Sequence, residues 1–228
     1  MLNMIKLDWL GMKYYWVRIV VVPVMICSFA IISEALIIPV VAFVMLSFSV
    51  NPFAVEEKGK LDNLYLTLPV TRKTIVNARL GLSLIMQFAG LAFGTIATLL
   101  LSALLYGRTI FFERSFRADF DVMVLIICGS LLFYAIMNLS MFPVLFKIGY
   151  AKGKALGFYI PLCVSTVIIY VFFLLGMYNN LFNAWLQSLI EWSLDNTLFM
   201  SAIVLVAAVA VFAISYALSH KVYAKREF

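Results

Sequence analysis

Long apolar stretches separated by short polar ones run through the whole chain. Uncharged runs occupy 19–33, 35–55, 80–107, 122–146, 155–190 and 196–219. A helix needs roughly 20 apolar residues to cross a bilayer. Continuous runs of this kind differ from the short alternating segments of a membrane barrel. The pattern predicts an all-α integral membrane protein with six transmembrane helices, near 17–33, 35–52, 80–105, 122–146, 156–177 and 198–219, in one membrane domain covering residues 1–228. The first two spans are short, are interrupted by Pro23 and Pro39, and are separated only by Ser33 and Glu34. Hydropathy alone also admits a single crossing with a re-entrant piece there.

Charge favours the hairpin. Cytoplasmic loops collect Lys and Arg. With six spans, the segments on the inner side hold 14 of the 17 basic residues, while Arg108, Arg114 and Arg117 remain outside among six acids. The N-terminus and the 56–79 segment both fall inside, so an even number of crossings separates them. Both termini are then cytoplasmic. The net charge of +6 serves as an orientation signal and attracts anionic lipid; nucleic acid is not needed to explain it. Hydrophobic residues make up 65% of the chain, more than a soluble domain requires. No cleavable signal peptide is evident. Cys27, Cys128 and Cys163 all fall inside spans and read as buried apolar thiols.

Besides the 56–79 and 147–154 segments, three polar or amphipathic pieces stand outside the spans. Residues 2–16 place Ile5, Trp9, Met12 and Trp16 on one helical stripe flanked by Lys6 and Lys13, as in an interfacial helix. Residues 181–192 set Leu181, Trp185, Leu189 and Trp192 opposite Asn183, Gln187 and Glu191. This predicts a short outer-surface helix that anchors at the interface or caps a path. The mixed 106–121 segment reads as an outer connector.

The 56–79 island carries the most pattern. Leu61, Leu64, Tyr65 and Leu68 share one face of a short amphipathic helix, with Glu56, Lys60, Asn63 and Thr67 opposite. Glu56 precedes Lys60 by four residues, the favourable order for a helical ion pair. Pro69 ends the helix, and Thr71 is placed to cap the next one. That helix carries Arg72, Lys73 and Arg79 into the third span, within reach of lipid phosphates. Periodicity leaves two roles open: a surface helix with a solvated charged face, or a docking element.

The run Glu56-Glu57-Lys58-Gly59-Lys60-Leu61-Asp62, then Leu64, then Leu66-Thr67-Leu68-Pro69-Val70-Thr71-Arg72, then Ile75, Val76 and Arg79, resembles the cytoplasmic signature of type-2 ATP-binding-cassette (ABC) permeases. Lys60 departs from the small Thr common there. The resemblance implies the membrane-spanning subunit of an ATP-driven exporter built from two permeases and two ATPases. The second permease is either a copy of this chain or a sibling. In such permeases the loop between the second and third spans contacts the ATPase. Glu56, Glu57, Gly59, Leu61, Leu64, Leu68, Pro69 and Arg72 thereby become candidate coupling residues. The 147–154 segment becomes a second contact through Lys147, Tyr150 and Lys152. Size and loop pattern are closest to small six-span permeases that resemble peptide-toxin and antimicrobial-peptide exporters. These imply a bacterial plasma membrane and an amphipathic, peptide-like cargo.

Missing motifs point the same way. A phosphate-cradling loop needs G-x-x-x-x-G-K-[ST] between a strand and a helix, and Gly149 to Ala155 has the wrong spacing and no hydroxyl after the lysine. ATP and Mg are therefore expected on a partner ATPase, with no cofactor bound by this chain. Gln87 and Asn138 are polar positions inside spans; such residues bond neighbouring helices more often than they line a path. A membrane-embedded lipid-modifying enzyme would need acids, histidines or cysteines clustered at one face, and the sequence has none. A non-transporting sensor or assembly subunit would explain the patterned segment without requiring ATP.

Overall fold

A computed structural model describes residues 2–11, 36–59, 71–106 and 120–225. Every regular element among them is helical: α1 (Leu2–Gly11), α2 (Ile37–Ser49), α3 (Asn51–Gly59), α4 (Arg72–Tyr106), α5 (Phe120–Ile148), α6 (Tyr150–Lys154), a π-helical turn (Ala155–Tyr159), α7 (Ile160–Tyr178), α8 (Asn180–Asp195) and α9 (Thr197–Ala224). Among the described residues, five stretches are long and apolar enough to cross a membrane: Ile37–Gly59, Lys73–Leu101, Val122–Ile148, Tyr150–Tyr178 and Thr197–Ala224. They correspond to the expected second to sixth spans. The expected span at 17–33 and most of the 106–121 connector lie outside the described residues.

Two boundaries differ from the hydropathy reading. The span expected at 35–52 continues to Gly59. Val50 keeps right-handed helical angles, and Pro52 falls at the second position of α3, where a missing N–H costs no helical bond. Phe53 N–H still reaches the Val50 carbonyl at 3.1 Å. Glu56 and Glu57 therefore ride on the end of a membrane helix. The 147–154 segment also shrinks to one non-helical residue, Gly149, whose φ of 84° suits glycine. The next helix begins at once.

In lipid no hydrophobic force drives helices together, so close packing and interhelical hydrogen bonds must do it. Both are present. A Cβ built on Gly94 would stand 3.1 Å from the Ile38 backbone, which brings α4 against α2. A methyl on Gly157 would meet the Met141 backbone at 3.0 Å, and the Ser140 hydroxyl donates to the Gly157 carbonyl at 3.2 Å. That bond helps the π turn seat against α5. The most extensive helix pair is α5 with α9. The buried stripe of α9 is small and polar, with Thr197, Ser201, Ala208, Ser215 and Ser219 ahead of Tyr223. In the middle of the bundle Ser83 donates to Asn138 Oδ1 at 3.1 Å, and the Tyr134 hydroxyl donates to the Ser83 carbonyl at 2.8 Å. These bonds join α4 to α5.

The α7 and α8 surfaces are largely open. Cys163 is exposed on α7, contrary to the expectation of a buried thiol, while Cys128 is buried. Helix α8 forms where amphipathic periodicity predicted it. Asn179 Oδ1 caps it by accepting from Leu181 and Phe182 N–H at 3.1 and 3.2 Å. Leu181, Trp185, Leu189 and Trp192 are all exposed. Helix α1 buries Met4 and Asp8 against the bundle and leaves Trp9 exposed, where a stripe expected to rest on the membrane interface would be open. Met12 and Trp16 lie outside the described residues.

Gly94→Val should push α2 from α4 and destabilise the protein by about 1–3 kcal/mol. Gly129→Ala, where an added Cβ meets nothing within 4 Å, should leave the melting temperature in detergent unchanged or slightly raised. Equal effects of the two substitutions would refute the close-packing account.

Candidate coupling site at one end of the bundle

Helices α3, α5 and α9 finish, and α4 starts, at the same end of the bundle. The contacts that establish this are side-chain contacts between distant segments. Phe53 of α3 packs edge-on against Phe142 and Phe146 of α5, with centroids 5.7 and 5.0 Å apart. Phe146 meets Tyr223 of α9 at 5.1 Å. The main core cluster lies here, with Ile75, Val76 and Leu145 among its members. Lys58, Lys73, Lys147, Lys152, Lys221 and Lys225 belong to this end.

The Glu56 carboxylate pairs with the Arg79 guanidinium, and both side chains are buried. Arg79 also stacks over the Phe53 ring at 4.2 Å, which adds a cation–π contact in a desolvated setting. This corrects two expectations. Glu56 faces the core rather than a solvated surface, and Arg79 points into the protein rather than toward lipid phosphates. The reason is position. Arg79 lies two turns into a membrane helix, where an isolated charge is costly and needs a partner. Glu56, carried inward by the extended α3, supplies it. Lys60, the partner expected for Glu56, lies outside the described residues. Asp8 of α1 is buried near the pair. Burial raises its carboxyl pKa above the ordinary 3.8, against the opposing pull of Arg79.

Glu57, the next residue, does something different. Its carboxylate accepts the Ala151 N–H at 2.8 Å, at the start of the helix that follows α5. Two segments 94 residues apart, each a candidate contact with an ATPase, are thus bonded together. Gly149 lies beneath this contact: a Cβ there would be 3.6 Å from the Glu57 carboxylate. Gly59 is exposed beside it. Lys147 and Lys152 are exposed, and Tyr150 is half-buried against the core. Leu61, Leu64, Leu68 and Pro69 lie outside the described residues, as does the Arg72 side chain. Helix α4 starts as predicted, with Thr71 Oγ1 accepting the Thr74 N–H at 3.3 Å.

Gln87 and Asn138 lie apart from this end, within the bundle. Both are buried, and Asn138 is committed to the Ser83 bond. Sequence reasoning missed Asp8, Asn77 and the inward role of Arg79. The one acid of the N-terminal helix, among mostly apolar residues, and an arginine inside a span were the available signals. Asn77 gave none, since only folding brings it to α9. Its Oδ1 accepts from the Tyr216 hydroxyl at 3.0 Å and lies 2.7 Å from His220 Nε2.

A membrane-helix bundle with a patterned polar end is a fold-level observation shared by many transporters. The family comparison decides between them. A family model described as "ABC-2 family transporter protein" matches residues 3–224. The chain belongs to the ABC-2 transporter permease family. Comparisons with curated proteins and with solved structures gave no significant match. As an ABC-2 permease, the protein is a multi-pass membrane subunit of an ABC transporter. The family implies an ABC ATPase as partner.

Removing one partner from a buried ion pair costs about 3–5 kcal/mol, because the other charge is left uncompensated. Glu56→Gln and Arg79→Gln should each destabilise the permease by that order, and the double variant should cost less than their sum in a double-mutant cycle. Additive losses would show that the pair is not a unit. Asp8 behaves in the opposite sense. The folded protein binds its proton more tightly than the unfolded chain, so its contribution is full below pH 3.8 and is lost as pH rises through the raised folded value. Asp8→Asn should remove that downward slope and leave the melting temperature at pH 7 unchanged or higher. A lower one would contradict the burial argument.

Proposed function

We propose that this ABC-2 permease is one membrane domain of an ATP-driven exporter that moves amphipathic or hydrophobic cargo, peptides being the favoured class, out of a bacterial cell. ATP and Mg are held by a separate cytoplasmic ATPase, and a second permease, either a copy of this chain or a sibling, completes the membrane part. The basic end of the bundle faces the cytoplasm, with both termini on that side. Helix α1 and helix α8 lie along opposite membrane surfaces.

The observation that carries the reading is the Glu57–Ala151 bond beside the Glu56–Arg79 pair. Residues 60–70, with Leu61, Leu64, Leu68 and Pro69, form the contact with the ATPase. Force applied there reaches α3 first. Glu56 passes it to α4 through Arg79, and Glu57 passes it to the α5–α6 turn, where Lys147, Tyr150 and Lys152 add a second contact. Two adjacent acids thus connect one docking segment to two membrane helices. Away from the Glu56–Arg79 pair, which is closed on itself at the polar end, the apolar and weakly polar interior of the described spans supports amphipathic cargo rather than ions, since an ion path usually keeps intramembrane charges of its own.

Coupling free energies between sites are typically worth 5–150-fold. Glu57→Lys should lower cargo-stimulated ATPase activity of the reconstituted complex by about tenfold or more. Glu57→Gln should do much less, because its amide oxygen still accepts the Ala151 N–H. Leu64→Asp should disrupt co-purification with the ATPase. Unchanged complex formation and activity in both Glu57→Lys and Leu64→Asp would sink the coupling assignment.

A further inference from the structure

A cavity of about 440 Å³ opens between the start of α4 and the end of α9. Lys73, His220 and Lys221 line it together with Val76, Tyr223 and Ala224. Among the described residues the lining carries basic side chains and no acid, beside the apolar Val76 and Ala224. Neither lysine forms an ion pair with a carboxylate among the described residues. The placement of Lys73 compounds the imbalance. It is the second residue of α4, at the positive end of the helix dipole. Its charge also reaches the His220 ring. Like charges with no counter-charge among the described lining residues repel one another, and the arrangement suits an anion.

The lysines are not needed to hold the two helices together. That work falls to uncharged contacts beside the cavity. Asn77 of α4 takes the Tyr216 hydroxyl and His220 Nε2, and the Tyr216 and His220 rings meet at 4.5 Å. Lys73 and Lys221 are exposed at the rim. The helix end is thus fixed in place by uncharged contacts, with two exposed lysines lining the cleft.

We propose that this cleft binds the phosphate of an anionic lipid headgroup, with Lys73 and Lys221 as its direct ligands and His220 beside them. A free phosphate would satisfy the same charges. The lipid is favoured because Val76 and Ala224 add apolar lining to the cleft and because Tyr216 and Leu218, on the same last turns of α9, are exposed. Acyl chains leaving the headgroup have a surface to follow. The site depends neither on which leaflet this end faces nor on the transport reading.

Native mass spectrometry of the purified full-length permease, released from nanodiscs, tests this with phosphatidylglycerol, phosphatidylcholine and inorganic phosphate as separate probes. Phosphatidylglycerol should be retained in preference to phosphatidylcholine. Lys73→Gln/Lys221→Gln should weaken its binding by about tenfold or more, since each basic residue near a lipid surface contributes comparably. Lys73→Arg/Lys221→Arg should retain it, which separates loss of charge from loss of fold. Equal retention of the two lipids overturns the proposal, as does unchanged phosphatidylglycerol binding in the glutamine variant. Inorganic phosphate that binds the parent as tightly as the lipid does would overturn the lipid assignment in favour of a soluble anion. Should the glutamine variant fail to fold, the lipid preference of the parent and the phosphate competition still decide.

Discussion

The buried pair of Glu56 and Arg79 is the interaction on which the polar end of this permease depends. Each charge would be costly alone in a membrane helix. Together, with Phe53 covering the guanidinium, they form a unit that fixes α3 against α4. Its importance lies less in net stability, since buried pairs often offset their own desolvation poorly, than in registry. Arg79 accepts only one depth for α3, and that depth presents Glu57 to Ala151. The pair therefore sets the geometry of the bond that joins the two candidate coupling segments.

Beyond that end, lipid as solvent explains the choice of contacts. Gly94 and Gly157 allow backbones to approach, the small buried stripe of α9 meets α5, and Ser83, Tyr134 and Asn138 exchange hydrogen bonds where no water competes. The rest of α7 and α9 is apolar and exposed, as surfaces facing lipid or a second membrane subunit should be. The same economy separates two kinds of charge at the polar end. Arg79 is enclosed and structural, whereas Lys73 and Lys221 stay at the rim, available to an external anion.

Much of this was legible in the chain. Five spans follow the uncharged runs, Thr71 caps α4, and the tryptophan-bearing stripe at 181–192 forms a helix. Boundaries were less legible. Hydropathy ends the second span near residue 52 because it sees Glu56 and Glu57 as polar, yet Pro52 sits where a helix tolerates it and the backbone continues. The 147–154 segment looks like a loop by charge but is nearly all helix, because one glycine at positive φ makes the whole turn. At α1 the periodicity pointed to a membrane-facing stripe and gave no sign that Met4 and Asp8 would pack inward, because that contact depends on where the bundle places its other helices.

Apolar length, basic-residue distribution and the 56–79 pattern are properties of the sequence by itself. They determined a helical membrane protein, a family resemblance and a short set of candidate coupling residues, because bilayer thickness and the cost of unpaired backbone constrain any chain in the same way. Which charge meets which was a matter for tertiary structure alone. Glu56 chose Arg79, 23 positions on, Glu57 chose Ala151, and Asn77 chose His220. Electrostatic and hydrogen-bond partners are selected by distance in a low-dielectric interior, and sequence separation carries no information about that distance until the helices have packed.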